Sequence, residues 1–126
     1  MDDTEAERIS EAELVVLEAL WAASPATATE LAERVRGPRE WSLATVKTLL
    51  SRLVAKRAVS TTPDGRRFQY HPLIAEAEYR GRESHRLIDR LFGGRAAPLI
   101  AHLAEREALS DDDLAEIERL LKDLRK

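Results

Sequence analysis

The chain has 126 residues, no cysteine and a net charge of −3 from 20 basic and 23 acidic side chains. It is too short for a barrel enzyme or a full dinucleotide-binding fold, it has no thiol for disulfides, metal sites or nucleophilic attack, and no apolar run reaches the ~18–20 residues that span a bilayer. An apolar share of 44% with 34% charged residues describes a soluble, helix-rich protein of one domain or two very small ones, and the acidic start Met1-Asp2-Asp3-Thr4-Glu5 argues against a signal peptide and for a cytoplasmic location.

Ser10-Glu11-Ala12-Glu13 reads as a capping box, with Ile9 and Leu14 placed for a hydrophobic staple. Leu14, Leu17, Leu20 and Trp21 then recur on one helical face, and Pro25 follows the end of this helix. Thr27-Ala28-Thr29-Glu30 is a second capping box; it opens a short helix with Leu31 and Val35 inward, closed by Gly37-Pro38. Ser42 is a third cap. Val46, Leu49, Leu50, Leu53 and Val54 form the apolar stripe of a third helix expected to run to about Arg57.

The rhythm then changes to strand. Val59-Ser60-Thr61-Thr62 is β-prone, Pro63-Asp64-Gly65 has turn chemistry, and Arg66-Arg67-Phe68-Gln69-Tyr70 alternates again, so a hairpin ending at Pro72 is predicted. A long helix follows from Ile74 to Phe92, weakened by Gly81 and stopped by Gly93-Gly94. A fifth helix is expected from Ala96 to about Ala108. Leu109-Ser110-Asp111-Asp112-Asp113-Leu114 starts a sixth, with its aspartates at the positive end of the helix dipole.

The net charge conceals a pattern: residues 1–33 sum to −8, residues 34–67 to +7 and residues 68–126 to −2. The basic block has the charge of a polyanion footprint, but charge alone favours an ordinary solvated face. Element order decides between them. Three helices and a hairpin make a winged helix-turn-helix, in which the third helix enters the major groove, and the block covers that helix, its entry and the hairpin. The fold class is therefore mainly α with a small β-hairpin, a winged helix-turn-helix over residues 1–73 followed by a helical dimerisation region over 74–126.

Opposite the apolar stripe lie Ala44, Lys47, Thr48, Ser51 and Ala55, with Thr45 and Arg52 on the flank. Thr48 and Ser51 have the hydrogen-bonding groups to read base edges, small side chains admit the backbone, and Lys47 reaches a guanine edge or a phosphate. Ser42 can hold a phosphate at the helix N-terminus as well as capping it. Arg66 and Arg67, after a tight turn, are phosphate candidates, with Arg39 and Arg57 weaker ones. The alternative for these positions is ordinary solvated surface. Trp41 is read as a core or hinge aromatic; Trp21, Phe68 and Tyr70 are also assigned to the core, although the Tyr70 hydroxyl has the chemistry for a phosphate.

The second half has no groove-reading pattern. Leu87, Leu91, Phe92, Leu99, Leu103, Leu114, Ile117 and Leu121 are more than ~50 residues can bury alone, so a homodimer is expected, with a self-contained helical cap as the alternative. His71, His85 and His102 stand apart from one another, so no metal or cofactor is expected. Glu11, Glu13 and Glu18 read as a solvated face with a capping role, and no nucleophile–base arrangement or phosphate loop suggests an enzyme.

Several segments together resemble the BlaI/MecI/CopY penicillinase-repressor family. They are Ile9-Ser10-Glu11-Ala12-Glu13-Leu14-Val15-Val16-Leu17 with Leu20-Trp21, then Trp41-Ser42-Leu43-Ala44-Thr45-Val46-Lys47-Thr48-Leu49-Leu50-Ser51-Arg52-Leu53, and the wing-like Gly65-Arg66-Arg67-Phe68-Gln69-Tyr70-His71-Pro72. Glu83-Ser84-His85, Leu91-Phe92-Gly93-Gly94 and Leu109-Ser110 are similar to its dimerisation half. The resemblance implies a homodimeric repressor on double-stranded operator DNA of dyad TACA/TGTA type, controlling a resistance or stress operon. In one branch it implies a membrane sensor protease that cuts an Asn-Phe bond after the double glycine. Here that place reads Ile100-Ala101-His102-Leu103-Ala104, making His102-Leu103 the nearest candidate bond. The copper branch uses cysteine pairs, which this chain lacks. A winged-helix protein-interaction module and a ligand-responsive regulator without proteolytic release are the competing readings.

Overall fold

Local chemistry sets where the helices begin. The Ser10 hydroxyl accepts the Glu13 N–H at 3.1 Å while the Glu13 carboxylate accepts the Ser10 N–H at 2.9 Å, closing the first capping box. Thr27 and Glu30 repeat the arrangement at 3.2 and 2.8 Å. Ser42 caps the third helix by accepting the Thr45 N–H. In the computed structural model, which describes residues 8–37 and 39–126, the elements are α1 (Glu11–Ala22), α2 (Ala28–Arg34), α3 (Leu43–Ala55), β1 (Val59–Asp64), β2 (Arg67–Pro72), α4 (Glu76–Phe92), α5 (Ala96–Glu105) and α6 (Asp111–Leu124). The acidic start and Pro38 lie outside the described residues. This is the mainly helical winged-helix order expected from the sequence.

The hairpin is antiparallel, with Val59 opposite Pro72 and Asp64 opposite Arg67. Its turn sits further along than the sequence suggested. Pro63 and Asp64 belong to β1, and Gly65 and Arg66 alone connect the strands. Pro63 is tolerated because each strand of a two-stranded ribbon is an edge, where a missing N–H costs little. Gly65, at φ 64, occupies the first turn position, where a positive φ favours glycine. Tyr70 also exchanges both backbone hydrogen bonds with Ala26, at 2.8 and 3.2 Å, so the α1–α2 connection is tied to β2. No periodicity in the sequence announced that bridge.

The chain divides into two compact units, the first ending at Tyr79 and the second running Arg80–Lys126. The first extends past the expected boundary after residue 73 because the Trp21 indole N–H donates to the Ile74 carbonyl at 2.8 Å and its ring lies 5.7 Å from that of buried Tyr79. Its core is built from Val16, Leu17 and Leu20 of α1, Leu31 of α2, Val46, Leu50 and Leu53 of α3, and Val59 of β1.

Three expectations fail here. Val54 is 38% exposed, since at 100° per residue it lies about 80° from Val46, at the margin of the stripe. Glu13 is not on a solvated face: its side chain is 2% exposed and pairs with Lys56. Phe68 is not in the core but 52% exposed.

The second unit contains the rest of α4 with α5 and α6. Ser110 and Asp113 form a third capping box for α6. α5 stops at Glu105, short of Ala108, because Glu107 turns to φ 56 and the Ala108 N–H folds back onto the Leu103 carbonyl at 2.9 Å. None of the residues of α5 or α6 is buried.

Candidate nucleic-acid interface

α3 is two-faced. Val46, Leu49, Leu50 and Leu53 are buried, while Ser42, Ala44, Thr45, Lys47, Thr48, Ser51 and Arg52 are all exposed. The polar groups on this outer face are only partly committed. Ser42 Oγ accepts the Thr45 N–H at 3.1 Å and lies 3.1 Å from Thr45 Oγ1. Thr48 donates its hydroxyl proton to the Ala44 carbonyl at 3.1 Å, leaving its oxygen free to accept. Among the described residues Lys47, Arg52 and Arg66 have no carboxylate partner, so three cations face solvent uncompensated.

The wing supplies Arg66 in the turn and Arg67 at the start of β2, both exposed. Arg67 Nε lies 3.5 Å from Asp64 Oδ2, which also accepts the Gln69 amide at 2.8 Å. That ion pair is solvated on both sides, so it is weak and readily exchanged for a phosphate. Arg39 is stacked 5.7 Å from the Trp41 ring centroid, and Trp41 is partly buried against the core. This fits Trp41 as a packing aromatic with a cation fixed over its outer face.

Not all of the basic block is free for a partner. The Lys56 ammonium donates to the Glu13 carboxylate at 2.6 Å and to the Arg8 carbonyl at 2.7 Å, and an Arg34 guanidinium N–H donates to the Ala23 carbonyl at 2.6 Å. Both cations hold the domain together. Burial pushes the Glu13 carboxyl up, but the Lys56 ammonium and the Ser10 N–H and hydroxyl outweigh it and hold its pKa below the ordinary value. The Glu30 carboxyl is likewise held low, by the Thr27 N–H first, then the Thr27 hydroxyl and, against slight desolvation, the charges of Arg34 and Arg67.

Of the histidines, His71 Nε2 lies 2.9 Å from Thr62 Oγ1, His85 is 3.3 Å from Asp89, and the His102 ring is 5.7 Å from that of Phe92. Among the described residues no three potential ligands gather for a metal, and no helix is long and apolar enough to cross a membrane.

The family model described as penicillinase repressor matches residues 9–123. The chain belongs to that family. The match runs through both units rather than through the winged helix alone. The methicillin resistance regulatory protein MecI of Mammaliicoccus sciuri is 30% identical over 94% of this chain and 97% of its own length. A penicillinase repressor of Bacillus licheniformis is 30% identical over 92% of this chain and 91% of its own length. A solved DNA-binding domain of the repressor BlaI superposes with a TM-score of 0.52 at 34% identity, covering 61% of this chain and 94% of that domain. In this chain the outward face of α3 and the wing carries Lys47, Thr48, Ser51, Arg66 and Arg67, all exposed.

Proposed function

We propose that this penicillinase-repressor family chain is a DNA-binding transcriptional repressor acting as a homodimer on a dyad operator, with α3 reading the major groove and the wing gripping the flanking backbone. The observation that carries the reading is the exposed, uncompensated basic and small-polar surface formed by α3 and the hairpin. Its likeness to a structure named as a repressor's DNA-binding domain supports the same assignment. Thr48 and Ser51 would contact base edges, Lys47 and Arg52 a guanine or phosphate, Ala44 and Thr45 the groove wall, and Ser42, Arg66 and Arg67 phosphates. A partner-protein module would need an apolar or acidic face on α3, and that face is neither.

Dimerisation rests on the second unit. Leu91 is 57% exposed, and Leu103, Leu114 and Leu121 are exposed with it. Leu87, Phe92, Leu99 and Ile117 are only half-buried. A surface so apolar is the expected face of a second copy. Release would follow a signal reaching this unit, for which proteolysis at His102-Leu103 by a membrane sensor protease is the first reading. Both residues are exposed, but they lie inside α5, so a protease must first unwind that helix.

The test is a gel shift with the upstream region of its own gene against random DNA across a salt series. Preference for the upstream duplex, with binding that falls steeply as salt rises, is expected. Equal binding to both would end the claim of sequence-specific repression. Mass spectrometry after β-lactam exposure separates the release mechanisms, since an intact chain with an induced promoter excludes cleavage.

A further inference from the structure

The two faces of the hairpin are chemically different. On one, Asp64, Thr62 and Ser60 oppose Arg67, Gln69 and His71. These groups satisfy one another through the Gln69–Asp64, Thr62–His71 and Arg67–Asp64 contacts. On the other face Val59, Thr61 and Pro63 oppose Pro72, Tyr70 and Phe68. This face begins in the core, where Val59 is buried and Tyr70 packs against it. It then runs out beyond the core, leaving Phe68 half exposed opposite an exposed Pro63. The ring and Pro63 together make a small apolar surface at the tip, and covering it would be favourable.

The surroundings narrow what kind of partner would suit it. Arg66 and Arg67 immediately precede Phe68, Arg66 has no carboxylate partner among the described residues, and the neighbouring Asp64 is already engaged by Arg67 and Gln69. The apolar tip is therefore flanked by two exposed arginines. A partner matching both features presents apolar surface between closely spaced anions. In duplex DNA that surface is the deoxyribose wall of the minor groove, flanked by phosphates; the base faces are stacked and out of reach. We infer that Phe68, backed by Pro63, is an apolar minor-groove contact of the wing, its ring packed on deoxyribose while Arg66 and Arg67 engage the adjoining phosphates. The inference rests on the DNA-binding reading above and adds to it a contact that carries no charge.

Absence of charge makes it separable by experiment. Binding of full-length wild type, Phe68→Ala and Arg67→Ala is measured by fluorescence anisotropy across a salt series, on the upstream duplex and on a random duplex. Phe68→Ala should bind both duplexes about tenfold more weakly, as expected when part of a phenyl ring returns to water. Its salt slope should match wild type, whereas Arg67→Ala should flatten the slope by about one counterion. Hydroxyl-radical footprinting, which attacks exposed deoxyribose, should show sugars protected by wild type and open with Phe68→Ala. Should Phe68→Ala melt early, Phe68→Gln keeps the bulk on the strand and should give the same loss. Wild-type affinity and protection in a folded Phe68 variant would overturn the inference while leaving the repressor reading intact. Failure of wild type to bind either duplex would overturn both. A Phe68 variant whose defect appears as a change in oligomeric mass would assign the ring to a second copy instead.

Discussion

Arg57 holds a backbone conformation that suits glycine. Its φ is 63, and the Ala58 N–H bonds the Leu53 carbonyl at 3.0 Å while the Arg57 N–H bonds that of Val54 at 3.0 Å. This is the closure by which helices commonly end, usually with glycine in the left-handed position. Arg57→Gly should therefore stabilise the protein by about 0.5–1 kcal/mol, read as a higher denaturation midpoint in urea. An unchanged or lower midpoint would mean the arginine side chain makes a compensating contribution. The residues of the outer face separate by a different measurement. Thr48→Ala should relax discrimination by about 1–3 kcal/mol at one operator position, while Arg67→Ala should weaken binding to every sequence alike. Competition binding against single-base operator variants distinguishes them, and uniform loss from both changes would refute the assignment. At this scale the caps were legible in the sequence, because a cap needs only its neighbours three residues away. Phe68 was misassigned, because alternation marks which face a side chain takes but not how far the core extends beneath it.

Between elements, the Glu13–Lys56 pair fastens α1 to the end of α3. Removing the cation leaves a carboxylate with a side chain only 2% exposed and no counter-charge. Lys56→Ala should cost about 2–4 kcal/mol, since stripping one partner from a buried pair strands the other. The pair also sets a pH dependence. The folded pKa of Glu13 lies below the ordinary carboxyl value of 4.5, so the stabilisation is fully present above about that pH and is lost as pH falls through the lower, folded value. Acid should therefore narrow the gap between wild type and Lys56→Ala, which urea titrations at neutral pH and below pH ~4 would measure. A gap unchanged by acid would show that Lys56 acts through packing alone. Sequence gave no hint of this pair, which joins residues 43 positions apart. It did give every helix and the hairpin, since the periods of 3.6 and 2 are written locally.

For the molecule as a whole, the second unit leaves the leucines of its amphipathic helices at the surface. Leu91 and Leu124 are 57% and 81% exposed, and no residue of α5 or α6 is buried. If that surface meets a second copy, Leu91→Asp and Leu121→Asp should shift the protein from two chains to one in light scattering. Binding to a dyad operator should then fall far more than binding to a half-site. Variants that keep the wild-type mass would point to the helical-cap alternative.

The sequence by itself determined what depends on near neighbours: the helix starts at Ser10, Thr27, Ser42 and Ser110, the glycine turn, the face of α3 that carries Thr48 and Ser51, and a basic block over residues 34–67. Tertiary structure alone decided how that block is divided. Lys56 turns inward to Glu13 and the exposed Arg34 is tied to the Ala23 carbonyl, while Lys47, Arg52 and Arg66 stay exposed without a carboxylate partner among the described residues. It also fixed the Ala26–Tyr70 bridge, the joining of Tyr79 to the first unit, and the exposure of Phe68. The physical reason is common to all of these. Burial and pairing are set by groups that arrive from distant parts of the chain, and a charge or a ring has no local pattern that names its partner.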